Sequence, residues 1–291
     1  MDEKKVKPAL TFEQQLSRLR DERGLIIEDE ESTIEKLKRY NYYRLSAYMK
    51  PYMLGEKFRP GTTFNQIVQL YEFDKKLRQL VMSILEPIEI TIKTQVAYLL
   101  GVKYGPLGYK NKEFFKNEPH HDGFLKKLDR EIESASKTRT AFIIHHMTEY
   151  DGQLPIWVAV EIMSFTTISL VFKNMLNEDQ REIARGYFGH DEDFVSSWLY
   201  TLSHVRNISA HHSRLFNRSI TYPAKLEKKE RSLGFPDNRL FAVLFIAKKL
   251  CREASDWDAF LSNLHVLIDS FEGKPERNMI WFPKNWYDLL R

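Results

Sequence analysis

Apolar residues recur at three- and four-residue steps along most of this chain, a spacing that predicts helices rather than strands. The longest run, from Phe64 to about Tyr98, carries Ile67, Leu70, Phe73, Leu77, Val81 and Ile84 along one stripe. Pro87 lies inside it and predicts a kink or break, because proline removes an N–H and crowds the preceding turn. Nearer the start, Thr11 and Gln14 have capping-box spacing, with Leu16, Leu19 and Leu25 as the apolar side of the helix they open. A second helical stretch passes through Ile34, Leu37 and Tyr40 into the aromatic segment YNYYRLSAYMKPY and stops at Pro51. Residues 52–63, with Gly55, Pro60 and Gly61, read as a loop.

Beyond the long run, weaker helical patterns fall at 122–134 and 138–149. A strongly apolar one follows from Pro155 to Phe172 as a single buried helix with proline in its first turn. Further patterns at 178–188, 193–211, 237–251 and 256–271 flank a polar, basic connection over 213–236. No repeat or low-complexity tract interrupts them. The expected fold is all-α, as one interlocked body in which residues 1–62 form an N-terminal helical segment packed on a main domain of residues 63–291.

Composition narrows this further. Gly (12) and Pro (11) are scarce for 291 residues, against turn-dense β architectures, while 43% hydrophobic and 13% aromatic content is enough to build a core. The lone Cys251 can form neither an intramolecular disulfide nor a zinc site by itself, which fits a reducing compartment. The start, MDEKKVKPALTFEQQ, has no apolar leader segment, and no stretch reaches about 18 uncharged apolar residues, so a cytoplasmic protein without membrane spans is expected. The net charge of +4 permits a polyanionic partner without requiring one.

Several chemistries lack their signatures. Gly101, Gly105 and Gly108 have no Gly-Lys-Ser/Thr ending, the pairs His120-His121 and His145-His146 have no metal-ligand spacing, and no Gly-x-Ser-x-Gly elbow exists. No cofactor and no metal are expected.

One segment stands apart. SHVRNISAHHSRLFNRS, residues 203–219, gathers three imidazoles, three guanidiniums and two amides at the end of a helix whose apolar face is Phe194, Trp198, Leu202 and Val205. Imidazole beside guanidinium suits phosphodiester cleavage: histidine moves a proton near neutral pH and arginine stabilises charge on the phosphorus-centred transition state. RNA brings its own 2′-hydroxyl nucleophile, so no metal is needed. Five residues at about 100° each put Arg206 and His211 roughly 140° apart on a straight helix, whereas Asn207 and His211 share a face. Either the helix ends within the motif or a second copy completes the pocket, and the second arrangement is the expected one. Glu161, a carboxylate in an apolar helix, is expected to need a partner, a basic group of the motif helix. Glu86, Glu89 and Lys93 read as surface i,i+4 chemistry. Tyr40, Tyr42, Tyr43 and Tyr48 read mostly as core aromatics.

Arg206-Asn207-Ile208-Ser209-Ala210-His211 resembles the Arg-x(4 to 6)-His signature of the HEPN superfamily. With YNYYRLSAYMKPY (40–52), FDKKLRQLVMSILEPIEITIKTQ (73–95), LPIWVAVEIMSFTTIS (154–169) and RNISAHHSRLFNR (206–218), the chain resembles the Abi-like family of bacterial abortive-infection proteins, the AbiD/AbiF type. It departs at Thr166-Thr167, where glycine is expected after Ser164-Phe165.

The resemblance implies a HEPN-like helical bundle with additional N-terminal and C-terminal helices, often a homodimer, that acts as an anti-phage toxin on RNA. Arg206, Asn207 and His211 would be catalytic in a metal-independent endoribonuclease. His212, Arg214 and Arg218 would bind RNA, with Lys225, Lys228, Lys229 and Arg231 as a basic continuation. The alternative implied is a non-catalytic RNA-binding protein that works as a complex with a small structured non-coding RNA.

Overall fold

A computed structural model describes residues 8–271 and 274–291. The leader-free reading rests partly on residues 1–7, which lie outside the described residues. The fold is all-α, and its two short strands, β1 (Met53–Leu54) and β2 (Lys57–Phe58), pair antiparallel within the segment read as a loop. The chain divides into two compact units, residues 1–76 and residues 77–291.

In the first unit, α1 (Phe12–Ser17) opens with the capping box: Gln14 N donates to Thr11 Oγ1 and Thr11 N donates to Gln14 Oε1. Helices α2 (Glu30–Arg39) and α3 (Tyr42–Met49) follow, and Pro51 sits in a 3-10 turn over Lys50–Tyr52. Leu16, Leu19, Leu25, Leu37, Leu45 and Tyr48 are buried. Tyr48 donates to Asp74 at 2.5 Å and Tyr40 to Glu72 at 2.6 Å, so these two rings are core residues with satisfied hydroxyls, while Tyr43 is 86% exposed.

Helix α4 runs from Phe64 to Tyr104 with Pro87 inside it, so of the kink or break expected there the break is absent. Ile84, Leu85, Ile88 and Ile92, on both sides of the proline, are almost fully buried. Each such side chain is worth about 1.5–3 kcal/mol of burial, which together offset the roughly 3 kcal/mol of an internal proline.

The second unit continues with α5 (Glu118–Lys137), α6 (Ala141–Glu149), α7 (Ile156–Ile162) and α8 (Phe165–Asn174). The apolar run 155–172 is therefore two helices and not one. Met163 turns extended, and Ser164 caps α8 by accepting from Thr167 N at 3.2 Å. Each half buries one face, Ile156, Ala159 and Val160 on α7 and most of α8, while Trp157 and Glu161 stay exposed, so the apolar pattern carries across the break. Next come α9 (Asn177–Arg181), which widens into a π-helical turn over Glu182–Phe188, and α10 (Glu192–Ala210).

Helix α10 is the spine of this unit and packs against α8 and α12 (Leu240–Leu250). Val195, Trp198, Leu199, Leu202 and Val205 are fully buried, and Trp198 Nε1 donates to Lys225 O at 2.7 Å. The basic connection 213–236 contains one short helix, α11 (Lys228–Arg231), whose buried Glu230 pairs with Lys249. Helices α13 (Ala254–Asp269) and α14 (Trp286–Leu290) close the chain, joined by a hydrogen bond from Trp257 Nε1 to Leu290 O.

Candidate functional site

The distinctive segment lies at the C-terminal end of α10. The helix stops at Ala210, so the motif spans its end: Arg206 and Asn207 are helical, and His211 is the capping residue with ψ near zero. His212 then takes a left-handed backbone, φ +55°, with its N–H bonded to Ser209 O while Ser213 N–H reaches Ile208 O. These two bonds form a Schellman cap, a motif that usually places glycine where His212 stands. Of the two arrangements open from spacing, the helix does end inside the motif. The side chains of His211 and His212 emerge exposed from a backbone closed by hydrogen bonds.

Arg206 and Asn207 are tethered, and the tethers come from distant parts of the chain. Arg206 Nε lies 3.2 Å from Glu89 Oε2 on α4, and Glu89 Oε1 lies 3.3 Å from Lys93 Nζ. Glu89 retains only about a tenth of its side-chain exposure, so this pair is not the surface i,i+4 contact expected of it. Asn207 Nδ2 donates to Thr166 Oγ1 at 3.0 Å, Thr166 in turn faces Ser203 Oγ at 3.4 Å, and Arg206 Nη1 approaches Asn207 Oδ1 at 3.5 Å. Thr166 is one of the two residues that stand where the family resemblance calls for glycine. Glu161, the expected partner of the motif helix, is instead exposed and takes part in no ion pair among the described residues. Glu89 fills the place assigned to it.

A second polar layer adjoins the first. Lys127 of α5 reaches Ser164 Oγ at 3.4 Å, and burial pushes the Glu131 carboxyl above the usual carboxylate range against the charges of Lys127 and Lys93. One turn earlier on α10, His204 stacks edge-on to Tyr222 at 4.7 Å, and Tyr222 meets Tyr200 at 4.8 Å. Burial, and then the Arg218 charge, hold the His204 imidazole below its ordinary value. Arg218 Nη1 also donates to Arg214 O at 3.2 Å, so the two arginines expected to bind RNA lie on one turn of backbone and are half-buried.

The loop after the motif is held from behind. Asn217, also left-handed at φ +50°, accepts from Trp281 Nε1 at 2.8 Å, and the Arg239 guanidinium lies 4.6 Å from the Trp281 ring centre. Among the described residues no cluster of histidine, cysteine and carboxylate is arranged to hold a metal ion, and no helix is long and apolar enough to cross a membrane.

A family model described as Abi-like protein matches residues 35–217, more than half the chain and the whole of the motif. The chain belongs to the Abi-like family. Membership connects it to abortive infection, the phage-defence response that gives the family its name. No curated protein and no solved structure matches the chain.

Proposed function

We propose that this Abi-like protein is an abortive-infection effector that cuts RNA without a metal, as a HEPN-type endoribonuclease built on Arg206, Asn207 and His211. The observation that carries the reading is the helix end itself. The His211 side chain is open to solvent at the point where α10 stops, and the arginine and amide of the same motif are tethered to Glu89 and Thr166. Positioned donors together with a solvent-open proton carrier are what in-line phosphodiester transfer needs.

His211 accepts the proton of the substrate 2′-hydroxyl, and the 2′-oxygen attacks the adjacent phosphorus. The bond from phosphorus to the 5′-oxygen breaks, and the proton held on the imidazolium passes to that oxygen. The products are a 2′,3′-cyclic phosphate and a 5′-hydroxyl. Arg206 stabilises the charge on the phosphoryl oxygens, worth about 3–4 kcal/mol for a well-placed donor, and Asn207 orients the group. A homodimer in which two copies of the helix end face each other would bring the Arg206 of one copy and the His211 of the other to one phosphate.

The test is cleavage of RNA by purified protein in EDTA, with product ends analysed. Wild type is expected to cut and leave cyclic phosphate, and Arg206→Ala and His211→Ala each to lose about a hundredfold or more. Equal cleavage by these variants would remove the residues from the reaction. Light scattering that finds a monomer at all working concentrations would remove the facing-copy arrangement.

A further inference from the structure

Beside the motif, α5, α8, α10 and the segment around Tyr222 enclose a groove of about 1120 Å³. Its charged lining is four lysines, Lys116, Lys127, Lys173 and Lys225, against one carboxylate, Asp193. Asp193 pairs with Lys225 at 3.4 Å, which leaves Lys116, Lys127 and Lys173 without a carboxylate of the lining. Lys116 Nζ meets only the neutral amide oxygens of Gln180 and Asn177, at 2.8 and 3.3 Å, and Lys127 meets a serine hydroxyl, with the Glu131 carboxylate 3.9 Å away. Burial holds the Lys116 ammonium below its ordinary value; Asp193 opposes this and the Lys173 charge adds to it. Ammoniums of like charge lining one groove are relieved by an anion bound among them.

The groove also presents aromatic surface. Tyr200 and Tyr222 line it, and Tyr222 is 40% exposed. From Tyr200 the same helix runs about 16 Å to His211, passing His204, which touches Tyr222. At the other wall Thr167 lines the groove beside Thr166, the residue that holds Asn207. Positive charge alone would suit any polyanion. Several ammoniums with an exposed tyrosine, Tyr222, fit a chain that alternates phosphates and flat bases.

We infer that this groove binds single-stranded RNA, with Lys116 and Lys173 on the phosphates and Tyr222 against a base, and leads the strand toward the helix end of α10. The inference rests on the RNA-cutting reading of the motif for what happens to the strand once delivered, and it adds binding residues outside the Arg-His segment.

The test is fluorescence anisotropy of the full-length protein with a fluorescein-labelled twelve-nucleotide oligouridine, titrated between 50 and 200 mM NaCl. K116A/K173A is expected to weaken binding about tenfold and to make the slope of log K against log salt shallower by about 1.4, two phosphates at roughly 0.7 each. Tyr222→Ala is expected to weaken it about fivefold or more at little change in slope. Thermal melts check that the variants fold, and photocrosslinking of wild type with 4-thiouridine in the same oligomer gives an independent readout, expected on peptides carrying Lys116, Lys173 or Tyr222.

Wild-type affinity and slope in K116A/K173A, or crosslinks confined to residues 212–218, overturn the groove. Polyglutamate that competes as well per charge as unlabelled oligouridine reassigns it to an acidic polypeptide and overturns the nucleic-acid occupant. The two readings fail separately. Groove-dependent binding with no cleavage by wild type sinks the nuclease and keeps the groove, whereas His211-dependent cleavage with an unaffected K116A/K173A sinks the groove and keeps the nuclease.

Discussion

Arg206 Nε and Glu89 Oε2 stand 3.2 Å apart, one on the helix that ends in the motif and the other one turn before Lys93 on α4. The carboxylate is nearly buried and the guanidinium about a third exposed. The pair therefore falls between a solvated ion pair, worth about 0–1 kcal/mol, and a fully buried one, whose breaking costs about 3–5 kcal/mol. Glu89→Gln is expected to lower the unfolding free energy by about 1–3 kcal/mol in urea titrations and to reduce RNA cleavage at least as much as it loosens Arg206. Glu161→Gln, at an exposed position, is the comparison expected to change neither. A Glu89→Gln protein as stable and active as wild type would show the pair to be incidental.

Thr166 holds Asn207 through one hydroxyl. Thr166→Val keeps the volume and removes the acceptor, leaving a half-buried amide short of a partner at a cost of about 1–2 kcal/mol. Thr166→Ser is expected to restore both stability and cleavage, measured on the same urea and RNA assays. Loss in Thr166→Ser equal to that in Thr166→Val would point to the methyl group instead.

His212 occupies the left-handed position of the Schellman cap. Side chains with a Cβ pay about 1–2 kcal/mol there, and β-branched ones pay most. Chemical denaturation is expected to rank His212→Gly at or above wild type and His212→Val about 1–2 kcal/mol below it. Should His212→Gly prove the least stable of the three, the histidine side chain, and not the backbone, is what the fold needs.

His204 and His190 are both held below their ordinary value, each chiefly by burial and then by a neighbouring cation, Arg218 and Lys249 respectively. A folded-state value below the unfolded one means that the unfolded chain binds the proton first. Stability from these two groups is therefore complete above the unfolded value, about 6.5, and is lost as pH falls below it. Melting temperature is expected to drop as pH falls below about 6.5, and His204→Gln to flatten part of that drop. An identical pH profile in His204→Gln would assign the slope elsewhere.

Local chemistry was legible wherever it was also sufficient. Thr11 and Gln14 announced their capping box, and the limits of α10 were readable to within a residue from the apolar step of Trp198, Leu202 and Val205. Two features escaped for a common reason. The break at Met163–Ser164 lies between two helices that each bury an apolar face, so hydrophobic spacing continues through it; only Ser164, a capping residue three before Thr167, marks it. Glu89 is separated from Arg206 by more than a hundred residues, and its i,i+4 relation to Lys93 supplied a complete local explanation that hid the long-range one. Glu161 failed in the opposite sense, since a carboxylate on a mostly apolar helix can face water.

Asn217, the last residue of the family match, is gripped by Arg239 and Trp281 from well beyond it. The sequence-defined edge of the family is thus not an edge of the folded object. A fragment trimmed to residues 35–217 would keep every motif side chain yet lose the clasp behind the motif loop, along with the helix α12 that walls the spine. Evolutionary boundary and mechanical continuity part company here: the contacts that hold the motif loop reach 64 residues past the family match, to Trp281.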